Sequence, residues 1–62
     1  MPAKLMTAIF FDAAGKAYKY HNIPDTIPGR AKFSVFAKKK GGVYINWYDK
    51  KTRAFEMQEK LQ

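Results

Sequence analysis

Hydrophobic positions in this chain come in short runs, and polar clusters carrying Gly, Pro, Asp or Lys interrupt them at nearly even intervals. The breaks leave five pieces, 4–12, 16–23, 31–38, 42–49 and 53–59, joined by 13–15, 24–30, 39–41 and 50–52. Runs of this length bounded by turn residues predict β-strands. Side chains alternate across a strand, so the pattern within each run also predicts which residues share a face.

Pairing 32–37 with 43–48 sets Ala37 opposite Val43, Val35 opposite Ile45 and Phe33 opposite Trp47. The other face then receives Phe36 with Tyr44, Ser34 with Asn46 and Lys32 with Tyr48. This register leaves Lys39-Lys40-Gly41 as a three-residue loop whose last position is left-handed, a conformation that glycine adopts without a Cβ penalty. The same rule applied upstream places Gly15 after Ala13-Ala14. It pairs Asp12 with Lys16, Phe10 with Tyr18 and Ala8 with Tyr20. Along the first strand Leu5, Ile9 and Phe11 point one way and Met6, Ala8 and Phe10 the other, so both faces are apolar, as in a central or strongly curled strand. Trp47 is assigned to the core with Val43 and Ile45, and Tyr18 and Tyr20 to the core or its rim.

Residues 22–30 contain Pro24, Pro28 and Gly29 and read as a crossover loop between two hairpins. Beyond the turn Asp49-Lys50-Lys51-Thr52, residues 53–57 alternate as a last strand. Ala54, Met57 and Leu61 also fit a helix capped by Thr52, and the strand is preferred. The expected fold is all-β: a small five-stranded SH3-like or OB-like partial barrel or curled antiparallel sheet, with a short C-terminal helix as the variant for the last strand. Residues 1–62 are expected to form a single small basic domain, since 62 residues support one core that hides only about 60% of the unfolded surface. A hydrophobic content of 47% is too high for a disordered tail.

The inventory of reactive side chains argues against catalysis. There is no Cys, one His (His21) and one Ser (Ser34), so no nucleophile set can be assembled. The five carboxylates, Asp12, Asp25, Asp49, Glu56 and Glu59, are scattered. A lone His is no zinc site, and Gly41-Gly42 lacks the flanking pattern of a phosphate loop, so neither a metal nor a cofactor is expected. The apolar stretch from Leu5 to Phe11 is broken by Thr7, stops at Asp12 and is far shorter than the ~18–20 residues that span a bilayer, so neither a leader nor a membrane span is expected, and the expectation is a cytoplasmic protein without membrane attachment.

Charge carries the positive signal. The net charge is +7, and no acidic residue lies between Asp25 and Asp49, where Arg30, Lys32, Lys38, Lys39 and Lys40 fall. Phe36, Tyr44 and Tyr48 interleave with them. Cations that follow a phosphate backbone, combined with aromatic platforms for bases, are what single-strand binders use. These eight residues are therefore the candidate nucleic-acid contacts, DNA or RNA, of a non-catalytic binding protein. Two alternatives stay open for them: the aromatics also suit a second core layer, and the lysines a solvated surface.

Gly42-Val43-Tyr44, Tyr48-Asp49 and Thr52-Arg53-Ala54-Phe55 resemble the Gly-x-Tyr, turn, Thr-x-x-Phe rhythm of the three-stranded arm-binding domains of phage-type integrases, which insert a sheet into the DNA major groove. The resemblance covers under a third of the chain, and no residue roles are carried over from it. The rival functional class is a small interaction module, an inhibitor or adaptor of phage or mobile-element type, that binds an acidic protein surface or lends an edge strand. A sheet with apolar residues on both faces is also compatible with a homodimer.

Overall fold

The structure is a computed structural model and describes residues 4–62. Strands β1 (Leu5–Asp12) and β2 (Ala17–Pro24) form a hairpin, helix α1 (Ile27–Lys39) follows, and strands β3 (Gly42–Asp49) and β4 (Phe55–Lys60) form a second hairpin. All neighbours are antiparallel, in the order β2-β1-β3-β4. The sheet is open, has four strands rather than five, and carries the helix on one face. The expectation of an SH3-like or OB-like barrel is replaced by this ββαββ arrangement.

The first hairpin has the expected register, with Phe10 opposite Tyr18 and Ala8 opposite Tyr20. Gly15 closes its turn at φ 84°. The last segment is a strand, not the helical variant. β1 is central, which is why both of its faces are apolar.

The main correction concerns 31–38. These residues are helical, so no hairpin joins 32–37 to 43–48 and the segment 22–30 is not simply a loop. Thr26 caps the helix, its hydroxyl accepting from Gly29 N at 3.0 Å, and Pro28 stands in the first turn where a missing N–H costs nothing. At the other end Lys38 and Lys39 complement the helix dipole, and Gly41, at φ 87°, ends it. Gly41 is left-handed as expected, as a helix terminator instead of a hairpin residue. Gly42 has no room for a side chain, because a Cβ would come within 2.8 Å of Ala37 O and 2.9 Å of Phe10 Cδ1.

The helix lays Phe33, Ala37 and part of Phe36 on the sheet. Beneath them Met6, Ala8, Phe10, Ile23, Ile45 and Trp47 are buried, and at roughly 1.5–3 kcal/mol per large apolar side chain this layer supplies most of the stability. Phe33 meets Trp47 edge-on at 5.5 Å. Glu59 ties the layers together: its carboxylate accepts from Ser34 Oγ on the helix at 2.6 Å and from Trp47 Nε1 on β3 at 3.1 Å. Val35, expected opposite Ile45, points outward from the helix and is 59% exposed.

Candidate functional site

Among the described residues no helix lies over the second face of the sheet. Cross-strand pairing puts Thr7 beside Tyr48, Ile9 beside Asn46 and Phe11 beside Tyr44, with Lys19 flanking Ile9 from β2, and Phe55, Gln58 and Lys60 flanking Tyr48, Asn46 and Tyr44 from β4. Phe11 and Tyr44 stack at 4.9 Å with their planes 24° apart, and Tyr48 meets Phe55 edge-on at 5.7 Å. Phe11, Tyr44 and Tyr48 are half-buried, and Phe55 is exposed. Gln58 donates to Asn46 Oδ1 across the strands at 2.9 Å, placing an amide pair in the middle of the face.

Toward one end the face sinks into an open depression lined by Thr7, Lys19, His21, Tyr48, Lys50 and Arg53, among others. The buried Thr7 hydroxyl and His21 Nδ1 are hydrogen-bonded at 2.9 Å, which fixes the imidazole with Nε2 turned away from Thr7. The Lys50 ammonium donates to Asn22 Oδ1. Asn22 sits at φ 63°, beside the irregularity in β1–β2 pairing between Met6 and Ala8.

The carboxylates are occupied by the fold. Asp12 accepts from the Ala14 and Lys16 amides and from the Tyr18 hydroxyl, and the Lys16 amide in particular holds its pKa below the usual carboxylate range. Asp49 organises the β3–β4 turn by accepting from the Lys51 and Thr52 amides. The Thr52 amide is the first cause of its lowered pKa, and the Lys4 ammonium, 3.1 Å away, adds to it. Lys4 also reaches Glu56, and that hydrogen bond is the main reason its own pKa is raised. Arg30 pairs with Asp25 at 3.5 Å. Of the twelve Lys and Arg residues, only Lys4 and Arg30 are ion-paired among the described residues. Anionic groups are thus used up internally, and the cations face outward.

The eight candidate contact residues divide between two sides of the molecule. Tyr44 and Tyr48 lie on the open face. Arg30, Lys32, Phe36, Lys38 and Lys39 belong to α1 and Lys40 caps it, on the covered side. Phe36 packs edge-on to Tyr20 at 5.3 Å and Phe10 at 6.3 Å, and the Lys40 ammonium lies 5.8 Å from its ring centre, so it is a core-edge residue and not a free platform. The open face instead assembles Phe11, Lys19, His21, Arg53 and Phe55, which the local pattern did not single out. The first hairpin's register already set Ile9 opposite Lys19 and Phe11 on the same side. What it could not supply was the long-range β1–β3 pairing that brings Phe11 to Tyr44.

Among the described residues no three His, Asp or Glu side chains are grouped to hold a metal ion, and no helix is long and apolar enough to cross a membrane. No known family model, curated protein or solved structure matches the chain.

Proposed function

We propose that the protein is a non-catalytic nucleic-acid-binding module whose contact surface is the open face of its sheet. The observation that carries this reading is the juxtaposition on one face of four aromatic residues, Phe11, Tyr44, Tyr48 and Phe55, with cations that have no carboxylate partner among the described residues, Lys19, Arg53 and Lys60. A base stacked on an aromatic side chain is worth about 1–3 kcal/mol, and lysines around the stack neutralise phosphates.

Binding of labelled single-stranded and duplex DNA and RNA, measured against salt, tests the proposal. About three phosphate contacts give a log–log slope of roughly −2 to −3. Phe11→Ala with Tyr44→Ala is expected to weaken single-strand binding at least tenfold with little change in slope, since stacking releases few ions. Converting Lys38, Lys39 and Lys40 to Gln is expected to have the smaller effect on affinity. Absence of binding at low salt rejects the reading.

A second reading rests on β4, an edge strand exposed along most of its length, with Phe55 and Met57 57% and 39% exposed. Such an edge suits pairing with a strand of a partner, an acidic protein or a second copy of this chain. Loss of all polyanion binding with retained partner binding through β4 would favour it.

A further inference from the structure

Two non-glycine residues have left-handed backbone, Asn22 at φ 63° and Arg53 at φ 65°, and Lys50 links them to one region. Asn22 follows His21 and holds the Lys50 ammonium, while Arg53 lines the depression that His21 and Lys50 also line. For a residue with a Cβ this backbone is unfavourable, and glycine would occupy it more easily. It is held by Arg53 N donating to Asp49 O at 2.7 Å and by the Asp49 carboxylate accepting from Lys51 and Thr52.

The depression offers Lys19, Lys50 and Arg53 as cations, His21 as a ring held by Thr7, and the Tyr48 side chain in its wall. One carboxylate, Asp49, borders it, with one oxygen accepting two turn amides and the other paired to Lys4. In the tautomer in which Thr7 donates to Nδ1, Nε2 carries the ring N–H and is a donor. Guanidinium, ammonium and imidazole side chains lining one concavity suit a tetrahedral oxyanion with several acceptor oxygens.

We infer that this depression is a phosphate-binding site, in which Arg53, Lys19 and His21 hold a phosphate group while the strand that carries it crosses toward the Phe11–Tyr44 stack. The inference deepens the nucleic-acid reading and rests on it for the identity of the strand. Thr7 and Phe11 are four residues apart on β1, about 13 Å at the rise of a strand, so the phosphate site and the aromatic pair are separate anchors on one path.

The test uses the full chain and two probes, inorganic phosphate and an unstructured thymidine oligonucleotide. Nuclear magnetic resonance signals of Lys19, His21 and Arg53 are expected to shift saturably with each probe. Arg53→Gly is expected to raise the melting temperature by relieving the backbone and at the same time to weaken both probes about tenfold, whereas Lys51→Gln, which removes a charge from the same turn, changes affinity less than twofold. Stabilisation coupled to lost binding separates a ligand role from a structural one. Saturable phosphate shifts without oligonucleotide binding support the site and remove the nucleic-acid reading. Oligonucleotide binding that is insensitive to Arg53→Gly, or equally sensitive to Lys51→Gln, overturns the site and leaves the wider reading standing.

Discussion

The two faces of the sheet are built from alternate residues of the same strands and have opposite fates. On the covered face Met6, Ala8, Phe10, Ile45 and Trp47 are at most 1% exposed, and the polar Glu59 is bound on both sides by Ser34 and Trp47. On the open face Ile9, Phe11, Tyr44 and Tyr48 are only half-buried, shielded by one another and by Lys and Gln side chains. Among the described residues one helix covers one face, and the second face is left half-exposed. Aromatic rings paired edge to face and face to face shield one another there, and the same rings suit a partner with flat π surfaces.

The largest expected asymmetry between the faces is in stability. Removing a fully buried aromatic costs about 3–5 kcal/mol, while a domain of this length has roughly 3–9 kcal/mol in total. Trp47→Ala, which also removes one of the two donors to the Glu59 carboxylate, is therefore expected to unfold the protein or bring it close to unfolding, and Tyr44→Ala to leave it folded, as read by circular dichroism and thermal melting. The reverse outcome would mean that the open face, not the covered one, holds the structure together.

A smaller effect is expected where the helix joins the sheet. Gly41→Val places a β-branched residue at φ 87° and is expected to cost more than about 1 kcal/mol in denaturant unfolding, through strain alone because no atom crowds the position. An unchanged midpoint would show that the helix ends differently.

Acid sharpens the contrast further, because the groups that titrate with altered pKa belong to turns and strand ends. Asp12 and Asp49 have folded-state pKa values below the ordinary 3.8, so their contribution is present in full above that value and is lost as pH falls through the lowered ones. Stability is expected to hold down to about pH 4 and decline below it. Asp49→Asn is expected to flatten the decline and also to loosen the turn that carries Arg53. A profile for the variant that matches the parent would exclude Asp49 as a source of the acid sensitivity.

Much of the sheet was legible because its signals are local. Gly15 between two alternating runs fixed a hairpin, and Val43, Ile45 and Trp47 separated cleanly from Tyr44, Asn46 and Tyr48. The helix was hidden because Phe33, Val35 and Ala37 obey a period of two, while Phe33, Phe36 and Ala37 equally obey a helical spacing of three and four. Thr26, Pro28 and Gly41 arbitrate in favour of the helix once read as a cap, a first-turn proline and a terminator, instead of as loop and turn residues. With the helix misread, the lysines of α1 were placed beside Tyr44 and Tyr48, when they lie across the sheet from them. The candidate site depends on β1 pairing with β3, more than thirty positions away along the chain, and neither run contains a signal that selects the other.

The central claim, that the open face is the binding surface and the helix side is not, is tested most directly by mapping amide chemical shifts during titration with an unstructured thymidine oligonucleotide. The account predicts that perturbations gather at Thr7, Ile9, Phe11, Lys19, Tyr44, Asn46 and Tyr48, and that Lys32, Lys38, Lys39 and Lys40 change little. Perturbations concentrated on residues 30–40, with the open face silent, would contradict it.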